Sequence, residues 1–243
     1  LTEAAYSEEQ YGRAFPAGYG AHFWHQARLR IVRAELRRMG VRRVIDVGCG
    51  PGEYVRALRS DGFDCIGCDP GEVRVPTDLH PFVLGHTPFD AVSDSALAGV
   101  EAVLLLDVLE HLADPEEILC GVRRRLPGLK GLVVTVPARQ ELWSELDRRA
   151  GHMRRYDRAA LESLLVKTGF QVAESTYLFR LLYVPAMLSR HRSRGRAITA
   201  PSRLLIHDCL SRMLVADRRW LPASLPGTSL LCVARPATPE ADT

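Results

Sequence analysis

Lysine is almost missing from this chain of 243 residues: Lys130 and Lys167 are the only two among 32 basic side chains. Its positive charge is therefore arginine's, and 29 acids leave a formal net charge of only +3. A balance this even gives no strong field of one sign, so composition makes no case for a nucleic-acid partner. Long apolar runs are missing too. None approaches the ~20 residues a bilayer span needs, and the N-terminal stretch is acidic and aromatic instead of basic then apolar. A disulfide framework is also absent: Cys49 sits in a glycine-rich turn, Cys65 and Cys68 flank a strand, and Cys120, Cys209 and Cys232 lie in apolar-periodic segments. Cys65-Ile66-Gly67-Cys68 has metal-ligand spacing but no second Cys or His pair nearby, so the expectation is free thiols, no metal and a reducing, cytoplasmic setting. A hydrophobic content of 47% is ordinary for a globular protein, and the length suffices for one α/β domain.

Apolar Leu29, Val32, Leu36 and Met39 recur at helical spacing between Gln26 and Met39, with Arg28, Arg30, Arg33, Glu35 and Arg37 filling the other face and Gly40 as a stop. Strands are expected at Val41–Val47, Phe63–Cys68, Phe82–Leu84, Glu101–Leu106, Gly131–Val136, Phe170–Phe179 and Ser229–Ala234, and helices at 52–59, from Pro115 behind an Asp114 cap, and from Asp157 to Gly169. Alternating strand and helix calls for a doubly wound α/β fold with a mostly parallel, seven-stranded sheet. Residues 1–40 form an N-terminal helical cap, 41–179 the core, 180–227 a helical insertion and 228–235 the last strand.

The most informative run is Val44-Ile45-Asp46-Val47-Gly48-Cys49-Gly50-Pro51-Gly52-Glu53-Tyr54, followed by Gly67-Cys68-Asp69 at the end of the second strand. A strand, a glycine turn opening a helix and an acid ending the next strand are the layout of a nucleoside-binding half-domain. This run resembles the first motif of the class I S-adenosylmethionine-dependent methyltransferases, a Rossmann-like family with an acid two positions before the first glycine. That acid, Asp46 here, would repel a pyrophosphate seated at the helix N-terminus and suits a cationic ligand. The resemblance implies S-adenosylmethionine as cofactor, with Asp46 holding its amino-acid end and Asp69 taking both ribose hydroxyls. It implies a cofactor-binding set of Asp46, Gly48, Cys49, Gly50, Gly52, Tyr54, Asp69, Pro70, Asp107 and Val108.

Leu105-Leu106-Asp107-Val108-Leu109-Glu110-His111-Leu112 resembles the corresponding motif of small-molecule methyltransferases, including the quinone-biosynthesis O-methyltransferase group. By that resemblance His111 lies near the transferred methyl; the alternative is a polar cap in which Glu110 and His111 serve the next helix. Farther on, Trp143-Ser144-Glu145-Leu146-Asp147 and Gly151-His152-Met153-Arg154-Arg155-Tyr156 look like a segment of the same subgroup. His152 suits a general base, because a neutral imidazole takes a proton near pH 7. Arg154 and Arg155 either clamp an acidic substrate or pair with Asp147. The N-terminal aromatics Tyr11, Tyr19, Phe23, Trp24 and His25, with the insertion, are expected to build the acceptor site.

No Asn/Asp-Pro-Pro-Tyr string follows the fourth strand, so base methylation in the style of enzymes bearing it is not expected. The insertion holds an apolar stretch from Leu181 to Leu188, a basic run from Arg190 to Arg196 and a helical pattern of Leu204, Leu205, Leu210, Met213 and Leu214. Residues 181–196 are either a solvated face or a peripheral membrane contact. The reading is a methyltransferase acting on a small molecule, most simply at oxygen, with nitrogen or carbon as alternatives. Its rivals are a nicotinamide-dependent dehydrogenase, disfavoured by Asp46 and by the lack of a second mononucleotide half, and a non-catalytic cofactor-binding module.

Overall fold

The structure, a computed structural model, describes residues 11–12, 15–16, 18–190 and 203–238. Its strands are β1 (Arg43–Val47), β2 (Asp64–Cys68), β3 (Val83–Leu84), β4 (Ala102–Leu106), β5 (Gly131–Pro137), β6 (Phe170–Leu178) and β7 (Ser229–Pro236). The helices are α1 (Phe23–Met39), α2 (Glu53–Ser60), α3 (Asp94–Leu97), α4 (Pro115–Arg125), α5 (Glu145–Arg149), α6 (Arg158–Lys167), α7 (Tyr183–Ser189) and α8 (Leu204–Trp220). They surround one sheet of order β3-β2-β1-β4-β5-β7-β6. All pairings from β3 through β5 are parallel, and β7 runs antiparallel to both β5 and β6. The doubly wound, mostly parallel arrangement expected from the sequence is therefore present, and strand order reverses between β1 and β4, where such sheets bind ligands.

Alternation along the strands divides the core into two layers. Val103 and Leu105 of β4 join Leu119 and Val122 of α4 and Leu161 and Leu165 of α6, while Ala102 and Leu104 join Leu36 of α1 and Val55 and Leu58 of α2 on the opposite face. Burial on both faces explains the uninterrupted apolar run at 102–106.

Most element ends shift by one or two residues from expectation, β3, β4 and β6 losing Phe82, Glu101 and Phe179, and three of the differences have plain local reasons. β1 begins at Arg43, not Val41, because the Val41 amide closes α1 by donating to Leu36 O at 3.4 Å behind Gly40, whose φ is +66°. β2 likewise loses Phe63, whose amide donates to Leu58 O at the end of α2. The first helix starts three residues early, at Phe23, because two imidazoles supply caps: His22 accepts from Trp24 N at 3.4 Å and His207 Nδ1 from Phe23 N at 3.0 Å. The Asp114 cap is as expected, accepting from Glu116 N at 2.9 Å.

Arg28 and Glu35, expected on the solvated face of α1, are buried at 6% and 5% exposure, Arg28 because Tyr54 and the loop after β4 close over it and Glu35 because Arg218 of α8 pairs with it. In α8 the pattern is reversed: Leu214 is buried, but Leu204, Leu205 and Met213 are exposed. The basic run from His191 to Arg196 and residues 239–243 lie outside the described residues. Among the described residues no helix is long and apolar enough to cross a membrane. Cys49, Cys65, Cys68 and Cys232 are buried free thiols, and Cys120 and Cys209 are exposed ones.

Among the described residues, four that are not glycine have a positive φ: His86, Asp107, Arg139 and Phe179, between 54° and 69°. Each comes one or two residues after the carboxyl end of β3, β4, β5 or β6. Backbone strain is thus concentrated along the functional edge of the sheet.

Candidate active site

The glycine turn leaves β1 at Gly48, with φ +76°, where an added Cβ would stand 2.7 Å from a methyl of Val108. Gly48 is therefore fixed twice, by conformation and by the approach of the β4 loop. Its amide and that of Cys49 donate to Cys68 O at 2.8 and 3.2 Å, which ties the turn to the end of β2. Asp69 follows directly, 3% exposed, with Oδ2 accepting from Gly50 N at 2.8 Å and Oδ1 from Gly71 N at 2.9 Å and from the Tyr11 hydroxyl. Asp46 sits below the turn at 2% exposure. Burial pushes its carboxyl up to about 8, against the opposing pull of Arg28 and with a further push from Asp69.

Arg28 joins the site from outside the expected set. Its Nε donates to the Tyr54 hydroxyl at 2.7 Å, its Nη1 donates to Asp107, and its guanidinium lies 4.0 Å from the centre of the Trp24 ring. Burial works against this charge, but Asp107 and Tyr54 outweigh it and raise the pKa above the usual arginine value. The other Asp107 oxygen accepts from Thr135 Oγ1 at 3.0 Å, so both are engaged. The spacing of Trp24 and Arg28, i and i+4 on one helix face, was the available signal.

The N-terminal aromatics lie mainly against this cofactor side, not in a separate acceptor pocket. Tyr11, Phe15, Tyr19, His25 and Tyr54 form a run of ring contacts with centroids 4.4 to 5.8 Å apart, Trp24 covers Arg28, and Phe23 packs on His207. His25 is lowered to about 3 by burial and by Arg28, so it is a neutral packing residue. Among the other expected cofactor residues, Cys49 packs against Gly67 and Pro70 is exposed.

Three residues beyond Asp107, a short turn (Leu109–His111) brings Glu110 and His111 beside His152. The loop carrying His152 is pinned here because the Met153 amide donates to Glu110 O at 2.8 Å and Ala138 pairs with Tyr156 alongside β5. His152 Nδ1 is 2.8 Å from Asp147 Oδ1, which fixes the proton on Nδ1 and leaves Nε2 as the acceptor, 3.9 Å from Glu110 Oε1. Burial opposes ionisation of Asp147, but hydrogen bonds from His152 and Arg155 hold it down at about 2. The imidazoles of His111 and His152 meet edge to face at 4.9 Å, and burial with that neighbour lowers His111 to about 4.

Glu110 is fully buried, neither carboxylate oxygen has a hydrogen-bond partner, and burial reinforced by Asp107 raises its pKa well above the usual range. Glu110, His111 and His152 each offer a ligand atom within 4.8 Å of the others, a set that could hold a divalent cation where the sequence reading expected none. The arginines are not free to clamp a substrate. Arg155 donates to both oxygens of Asp147, and Arg154 to the carbonyls of Leu112 and Ala113.

Residues 21–175 match the family described as "Methyltransferase domain". The ubiquinone biosynthesis O-methyltransferase of Methylococcus capsulatus is 29% identical over 110 residues, 42% of this chain and 46% of that one. The enzyme of the same name from Cereibacter sphaeroides is 35% identical over 99 residues, 38% of this chain and 39% of that one. Each match thus takes in less than half the length of the curated relative. Among solved structures, the methyltransferase domain of bacterial CtHen1 superposes with a TM-score of 0.55 at 17% identity, over 88% of this chain and 98% of that one. Magnesium protoporphyrin IX methyltransferase from Synechocystis, with bound S-adenosylhomocysteine, gives 0.50 at 18% identity, over 88% and 83%. At these identities the likeness shows the fold.

Proposed function

The chain belongs to the methyltransferase-domain family, with S-adenosylmethionine as its methyl donor, and we propose that it delivers the methyl group to a hydroxyl oxygen of a small-molecule acceptor. The observation that carries the choice of oxygen is the His152 tautomer: Asp147 holds the proton on Nδ1 and leaves Nε2 to accept one. The matches to ubiquinone biosynthesis O-methyltransferases favour the same atom.

In this reading Asp69 orients the ribose, and Asp46 with Arg28 faces the charged amino-acid end. When bound, the sulfonium supplies an activated methyl group and departs as a neutral thioether. His152 Nε2 takes the acceptor O–H proton as the oxygen–carbon bond forms, and Asp147 stabilises the resulting imidazolium before that proton passes to water. His111, neutral at physiological pH, borders the acceptor. Positioning and exclusion of water supply the remaining rate.

Calorimetric titration with S-adenosylmethionine and, separately, NADH tests the premise, and release of S-adenosylhomocysteine over a panel of phenols and amines tests the atom. Turnover confined to amines would overturn the oxygen reading. One observation favours a second role for the same residues. The orphaned oxygens of Glu110 beside two imidazoles suit a divalent cation that would acidify the acceptor hydroxyl, and Mn2+ binding lost in Glu110→Gln would support it.

Asp46 makes cofactor affinity depend on pH. A carboxyl raised to about 8 keeps its proton in the free protein at neutral pH, and a cationic ligand favours its ionised form, so binding releases that proton. Affinity for S-adenosylmethionine should rise with pH below about 8, by up to roughly tenfold per unit, and level off above. Calorimetry at several pH values in buffers of different ionisation enthalpy measures both effects. The ligand's own amino group also titrates, so Asp46→Asn is the control. An unchanged slope in that variant would remove Asp46 from the linkage.

A further inference from the structure

Nine of the twelve large hydrophobic side chains exposed among the described residues fall between Leu181 and Leu225, so one segment between β6 and β7 carries most of the apolar surface. On α8, Leu205, Cys209, Met213, Ala216 and Trp220 fall within an arc of about 80° and run for about 22 Å at 100° and 1.5 Å per residue. Leu205 and Trp220, at its ends, are 83% and 82% exposed. The opposite side, with Ser211, Leu214 and Asp217, is buried, so this stripe is the outer face of a helix already docked. On α7, Val184 and Leu188 make a second outward pair at i and i+4 spacing, 61% and 73% exposed.

The charge of this segment is equally lopsided. Residues 180–227 hold nine arginines and two aspartates, a net +7 in a chain whose total is +3, so the rest is net −4. Arg212 and Arg219 border one edge of the α8 stripe, exposed. Of the two acids, Asp217 is buried and Asp208 is engaged by Arg30 and Arg212.

We propose that this face rests on an anionic membrane surface, with α8 lying in the interfacial plane, its apolar stripe below the headgroups and its arginines at the level of the phosphates. An exposed apolar stripe bordered by cations on a helix too short and too charged to span is the pattern of an interfacial helix. A second copy of the chain is the less suitable occupant, because twofold pairing of this face would bring two arginine-rich surfaces together. The assignment stands independently of the methyl-transfer reading.

The test uses the full chain with vesicles of phosphatidylcholine alone and with about one-third phosphatidylglycerol, read by co-sedimentation and tryptophan emission. Trp220 is the highly exposed one of three tryptophans, and Trp220→Phe supplies the blank. The expected result is a blue shift and sedimentation with anionic vesicles only. Partitioning should fall at least about tenfold in Leu205→Ser/Met213→Ser and about fivefold for each of Arg212→Gln and Arg219→Gln. S-adenosylmethionine affinity in these variants should match wild type, which shows that they fold. No binding to either vesicle, equal binding to both, or a concentration-dependent dimer abolished by Leu205→Ser without vesicle binding would each overturn the proposal.

Discussion

Asp69→Ala should weaken S-adenosylmethionine binding by at least about a hundredfold, which is about 2.7 kcal/mol. The side chain is buried at the end of β2 and organises its surroundings twice over, accepting the Gly50 amide on one oxygen and the Gly71 amide on the other. Hydrogen bonds to a charged acceptor contribute about 1.5–3 kcal/mol each, so loss of a two-hydroxyl clamp exceeds the threshold even before the loop relaxes. Loop relaxation must be separated from loss of the clamp. Asp69→Asn retains the shape and one acceptor oxygen but turns an NH2 toward one of the two backbone amides, and it should bind at an intermediate affinity with a melting temperature between those of Asp69→Ala and wild type. Calorimetry on the three proteins decides the matter, and equal affinity in wild type and Asp69→Ala would remove the ribose role. Tyr11 bears on the same oxygen, because its hydroxyl already donates to Asp69 Oδ1.

His152→Ala should lower kcat by about a hundredfold or more and leave the affinity for S-adenosylhomocysteine within about twofold of wild type. The separation is expected because His152 contacts Asp147, Glu110 and His111, whereas Asp69 bonds the glycine turn and Gly71, and Arg28 bonds Tyr54 and Asp107. Asp147→Asn probes the same unit more gently: it preserves the packing but removes the charge that stabilises an imidazolium, so kcat should fall while the acceptor KM changes little. Turnover unaffected by His152→Ala across neutral pH would make the residue purely structural. Manganese distinguishes the two roles of the cluster. If His152 is a base alone, added Mn2+ leaves turnover and water-proton relaxation unaltered; if it is a ligand, both respond, and Glu110→Gln abolishes the response.

Much of this was legible in the sequence because it is local. The glycine turn, the acid at the end of β2 and the Asp114-Pro115 cap are each set by a few adjacent residues, and strands buried on both faces announce themselves as unbroken apolar runs. What was hidden depends on partners far along the chain. Arg28 reads as one more solvated arginine until Asp107, 79 positions away, and Tyr54 close around it. Glu110 reads as a helix cap, although its burial is decided by the returning loop at Met153. In α8 the apolar period correctly indicates a helix but not which side is covered. Ser211 and Asp217 face inward because Arg30 and the Leu181 amide supply their hydrogen bonds, and the leucines are left outside. Of the two alternatives for the arginine pair, Arg155 takes the pairing with Asp147 in place of a substrate clamp, and Arg154 is held by two backbone carbonyls.

The positive-φ residues that follow β3, β4, β5 and β6 bear on how this protein could be made more heat-resistant. Replacing such a residue by glycine relieves about 1 kcal/mol of unfavourable backbone conformation, less what glycine's freedom in the unfolded chain takes back. Asp107 and Phe179 are closed to this route, one by its bond to Arg28 and the other by complete burial. His86 is open to it, and so is Arg139 with loss of its exposed ion pairs to Glu141 and Asp157, but both lie on the carboxyl-terminal edge of the sheet, where such sheets bind ligands. A selection for thermal tolerance alone would therefore be drawn first to the carboxyl-terminal edge of the sheet, and its early gains would reshape the loops that follow β3 and β5.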